Sequence, residues 1–66
     1  MKIYPLLEEL SKAGAKNAVL GLLQAHQNAA ADTEPRGDFS LKMSRAVSLL
    51  QESVSVQDFL AKAKDL

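Results

Sequence analysis

The chain has no cysteine and no tryptophan among its 66 residues. Disulfides and thiolate metal sites are therefore excluded. Its single histidine cannot assemble a zinc site by itself. Gly14, Gly21 and Gly37 never cluster, so there is no phosphate-cradling loop. One isoleucine and four valines are too few to favour a sheet. No apolar run approaches the ~20 residues of a transmembrane helix. The N-terminus has one lysine and no apolar stretch behind it, unlike a secretory signal. Eight acidic residues balance eight basic ones, so no net field draws nucleic acid or anionic lipid. With neither disulfides nor an export signal, the cytoplasm is the expected compartment.

What is present favours helix. Apolar residues make up 47% of the chain, too many for disorder. Eleven are leucine and ten are alanine, both strong helix formers. The fold class read from this is all-α, one small domain over residues 1–66. A chain this short builds a marginal single core, and no disulfide or metal supplements it. Association with another chain is the remaining supplement, so a dimeric helical bundle is expected. Met1 and a helical pattern running to Leu66 read as a complete short product.

One polar segment, Asp32-Thr33-Glu34-Pro35-Arg36-Gly37-Asp38, separates two helical halves. Pro35 disfavours helix at Glu34, and Gly37 is free to take a positive φ. Arg36-Gly37-Asp38 spells an integrin-recognition triplet, here read as turn-forming residues.

Each half contains a second break. At about 100° per residue, Ile3, Leu6, Leu7, Leu10, Ala13 and Gly14 share one face. Val19, Leu20, Leu22 and Leu23 fall on the opposite one, so a single straight helix would bury opposite faces at its two ends. Gly14 is placed to cap and end the first helix. In the second half, Met43, Ala46, Val47, Leu50 and Val54 share a face, and Val56, Phe59, Leu60, Ala63 and Leu66 share another. Between them, Ser55 and Asp58 read as a capping box, with Val54 and Phe59 as its hydrophobic staple. Asp38 or Ser40 can cap the helix before it. The spacing predicts four helices, at about 3–13, 15–30, 39–53 and 56–66. A hairpin of two long kinked helices is the alternative.

Candidate chemistry is sparse. His26 stands in a run from Asn17 to Ala31 that contains no Asp, Glu, Lys or Arg. Neither a nucleophile nor an orienting acid lies one turn away, so it reads as a helix-edge residue and not a catalytic base. Glu8 and Glu9 diverge on a helix and read as partners of Lys12. No catalytic, cofactor or metal role is assigned to any residue, and the chain is not expected to be an enzyme.

Residues 45–64 have the order of a helix-turn-helix, which makes a small DNA-binding regulator the alternative function. The start of its second helix, Val56-Gln57-Asp58, places an acid where a phosphate would lie. Nucleic acid is thus a disfavoured partner.

The uncharged run is the most informative feature. A helix in a tiny domain ordinarily shows water one charged face. Here Val19, Leu20, Leu22 and Leu23 cover nearly half the circumference. Ala18, Gly21, Ala25 and Ala29 form a flat strip that lets a neighbouring helix approach. The expected contact surface for a second copy or another protein is Val19, Leu20, Leu22 and Leu23 with Val47 and Leu50. The function this implies is a protein-binding regulator, inhibitor or adaptor.

Overall fold

A computed structural model describes residues 2–33 and 36–66. Its elements are α1 (Tyr4–Leu10), α2 (Lys16–Thr33), α3 (Asp38–Glu52) and α4 (Val56–Lys62), with no strand among the described residues. The fold is all-α with four helices, and the two-helix alternative is set aside.

Pro5 stands in the first turn of α1, where its missing N–H leaves no bond unmade. After Leu10 the chain tightens into one 3-10 turn, Ser11–Ala13, and stops at Gly14 with φ +86°. That positive φ is why the break needs a glycine. Open space surrounds the position where a Cβ would stand, so backbone conformation alone excludes other residues. The first helix is therefore shorter than expected, and Ala13 and Gly14 are exposed rather than apolar-face residues.

α2 and α3 form the central antiparallel pair. Lys16 Nζ donates to the Ser53 carbonyl at 2.6 Å, and Gln27 Nε2 donates to Ser44 Oγ at 2.9 Å. These two bonds set the register. The connection between the helices is tighter than the expected loop 32–38. Thr33 is helical and donates its hydroxyl to the Ala29 carbonyl at 3.1 Å. Asp38 stands in the first turn of α3, at the positive end of its dipole, 3.3 Å from Lys42. The expected interruption at Glu34–Pro35 lies outside the described residues. Gly37 is the N-cap of α3 with φ −68°, so its freedom to take positive φ is unused. Neither Asp38 nor Ser40 occupies that cap position.

The corner between α3 and α4 matches the expected cap and corrects the expected staple. Ser55 Oγ accepts the Asp58 N–H at 3.1 Å, starting α4. The Asp58 carboxylate reaches back to the Val54 N–H at 3.3 Å, one residue before the usual partner of a capping box. Val54 is 89% exposed while Phe59 is fully buried, so the two do not form a staple. The extended backbone at Ser53 and Ser55 turns the intervening side chain outward. Buried Ser53 is fully bonded: its hydroxyl donates to the Leu49 carbonyl and its own carbonyl receives Lys16.

The core joins Ile3 and Leu7 to Val19 and Leu23, Met43, Ala46, Val47 and Leu50, and Phe59, Ala63 and Leu66. Past Lys62 the chain leaves the helix as a turn, and the Leu66 carbonyl accepts the Ile3 N–H at 2.6 Å. The total surface of 4141 Å² is close to the ~4,000 Å² kept by an ordinary monomer of this mass. One chain thus closes its own core.

Candidate protein-binding surface

That closure relocates the expected contact surface. Val19, Leu23 and Leu50 are fully buried in the chain's own core, and Val47 nearly so. Leu20 is half-buried against that core. Of the six residues, Leu22 alone stands out, 40% exposed. The reason is steric. α3 packs along α2, and beyond the turn at Gly14 α1 brings Ile3 and Leu7 into the same core as Val19 and Leu23. The apolar arc is consumed except at its edge.

Helix length sets what stays uncovered. α1 and α4 have seven residues each and reach about 10 Å, while α2 has 18 and reaches about 27 Å. Both short helices attach at the same end of the α2–α3 pair, through Gly14 and through Ser53–Ser55. The far end of the pair projects beyond them. From Gln24 to Thr33, α2 buries no residue.

Two features are left open on the pair, the first running the length of α2 and the second at its projecting end. The outer face of α2 carries Ala18, Leu22, Ala25 and Ala29, all exposed and all uncharged. Beside it lies an open groove of about 340 Å³, lined by His26, Ala29, Ala30 and Thr33 of α2 and by Phe39 of α3. Phe39 lines it from across the hairpin. The His26 ring lies back along its helix with Nδ1 2.9 Å from the Leu22 carbonyl. That contact holds the ring against its own helix at the edge of the groove.

A second concavity, of about 380 Å³, lies on α3 between Ser44, Arg45, Ser48, Leu49 and Glu52. Its lining sets two serines and two opposite charges around one apolar side chain, Leu49. Among the described residues, no three of His, Asp and Glu converge on a point that could hold a metal. No helix among them is long and apolar enough to cross a membrane. Glu9 pairs with Lys12 at 3.0 Å on the surface, as its spacing suggests. Among the described residues, the carboxyl clearly shifted is Asp58. Its bond to Lys62 at 3.0 Å, aided by the Val54 N–H, holds it below the ordinary 3.8.

Phe39 is the surface residue that sequence reasoning missed. It sits beyond the polar connection, and only the hairpin register brings it to His26 and Ala30. Its one sequence signal is an aromatic side chain directly after that connection. Set against protein-family models, curated proteins and solved structures, the chain matches none.

Proposed function

We propose that this chain is a non-catalytic protein-binding module that works through the outer face of α2 and the groove beside it. A regulator, inhibitor or adaptor that covers or escorts another protein is the role this describes, in the cytoplasm. One observation carries the reading: the projecting half of α2 has no fully buried residue, yet it carries no charge from Gln24 to Ala31. Uncharged helix faces left open to water are uncommon in small domains, and a groove lined by alanines and an aromatic ring suits an apolar side chain of a partner.

A nucleic-acid reading draws no comparable support. At the start of α4 the Asp58 carboxylate occupies the position of a phosphate contact, and it also ties up Lys62. The test is retention of proteins on the immobilised chain, compared with an Ala29→Arg variant of equal helicity and melting temperature. Loss of the retained proteins with the variant is expected. Identical retention by both would overturn the reading.

A further inference from the structure

We propose that α1 is a lid on the core, hinged at Gly14 and latched by residues 63–66, and that it opens while α2 and α3 stay folded together. Beyond Pro5, α1 carries few helix signals of its own. Its seven residues are fewer than an isolated helix needs to persist in water. Its N-cap residue, Ile3, makes no side-chain cap bond, no acid stands in its first turn and no base in its last. α4 is equally short but complete at both ends: Ser55 caps it, Asp58 stands in its first turn and Lys62 in its last. The helical state of α1 is therefore supplied by what it packs against.

The Leu66 carbonyl accepts the Ile3 N–H at 2.6 Å. That N–H begins the helix and has no acceptor within it. Ala63 and Leu66 lie buried in the same cluster as Ile3 and Leu7. Residues 63–66 are in turn fastened to α4, the Ala63 N–H donating to the Phe59 carbonyl and the Leu66 N–H to the Ala63 carbonyl, both at 2.9 Å. Parting α1 from them breaks a hydrogen bond and opens a shared apolar cluster in one step. On the hinge side nothing resists. Residues 12–15 are exposed, or half-exposed at most, and nothing beyond its chain neighbours stands within 4 Å of where a Cβ at Gly14 would lie. The α2–α3 pair is held separately, by Lys16 on the Ser53 carbonyl, by Gln27 on Ser44, and by Met43, Ala46, Val47 and Leu50 in one core with Val19 and Leu23. A lid that lifts leaves these bonds in place and bares Leu7 and the side of the core it closes. Segments held by few buried contacts open in this way at less than the cost of global unfolding.

Amide hydrogen exchange read by NMR on the intact chain tests this. The Ile3 and Leu7 amides are expected to be protected about tenfold less, or lower still, than those of Leu23, Val47 and Leu50. Low urea should erode the first group with the shallower slope, because lifting the lid exposes less surface than unfolding the chain. Two substitutions separate the lid from the rest. Arg45→Gly weakens α3 at an exposed position, and by the same amount whether the lid is open or shut. It should cut the protection of Val47 and Leu50 about fourfold and leave that of Leu7 unchanged. Leu66→Ala loosens the latch and should cut the protection of Leu7 by about tenfold or more. Equal protection of Leu7 and Leu50, equal urea slopes, or a fall at Leu7 with Arg45→Gly would each overturn the lid. Protection at Leu7 that Leu66→Ala does not change would overturn the latch, and the proposal with it.

Discussion

Leu22 and Leu23 are neighbours in the same helix and chemically identical, yet one is 40% exposed and the other fully buried. The same division separates the two ends of α2. Its first turns supply Val19 and Leu23 to the core shared with α1, α3 and α4, while none of its last ten residues is fully buried. The fully buried side chains of α2, Val19 and Leu23, both stand at the first end. The second end is held by the Gln27–Ser44 bond, the Thr33 hydroxyl and a half-buried Phe39. It contributes little to the core and is correspondingly free to meet another surface. In a domain this small, two seven-residue helices cannot cover an 18-residue one. The overhang follows from that mismatch of lengths.

The sharpest test of the contrast is the leucine pair. Leu23→Ala is expected to destabilise by about 2–5 kcal/mol, the loss for a buried leucine that leaves a cavity. Leu22→Ala at a few micromolar should change stability by less than about 0.5 kcal/mol. Urea titration of both variants checks it, and similar losses would dissolve the distinction between the two ends. Next in size is Gly14→Ala. It forces a side chain onto a positive φ with no packing gain, and about 1–3 kcal/mol is expected from the same titration.

Ser55→Ala comes third. The cap it removes is worth about 1 kcal/mol. Its sign matters as much as its size, because in a continuous helix the same change would stabilise slightly. Val54→Ala provides the control at the same corner. A packed staple would make it costly, whereas the 89% exposed side chain predicts a change within about 0.5 kcal/mol.

The smallest effect is electrostatic. Asp58 titrates below its ordinary 3.8 in the fold because of Lys62 and the Val54 N–H. A carboxyl whose folded value is depressed contributes stability above its unfolded value and loses it as pH falls through the folded one. The stability difference between the chain and Asp58→Asn should therefore be full above about pH 4 and shrink steadily below it. A difference that grows on acidification would contradict the assignment.

Much of the fold was legible along the chain. The break at Gly14, the cap at Ser55 and the buried faces of α3 and the C-terminal segment all follow from spacings of three or four residues. The boundaries of the polar connection were not. Thr33 and Asp38 are poor helix formers in isolation, but a backward hydroxyl bond and an ion pair with Lys42 draw both into helix. The candidate surface was half legible. The missing charge on α2 marked the right helix, and the wheel then marked its apolar arc as the contact. That arc is what the chain itself uses, leaving the alanines and Leu22 outside.

The sequence by itself determined that this chain is all helix, where two of its helices stop or start, and which residues are apolar enough to be buried. These properties are local: propensity, capping and periodicity act within about one turn. Only the tertiary structure decided which leucine of an adjacent pair is enclosed, that Val54 stands in water, that Phe39 lines a groove beside His26, and that the Ile3 N–H meets the Leu66 carbonyl. Each of these depends on residues distant along the chain and on how far a neighbouring helix extends. Periodicity in one segment carries no record of the length of another.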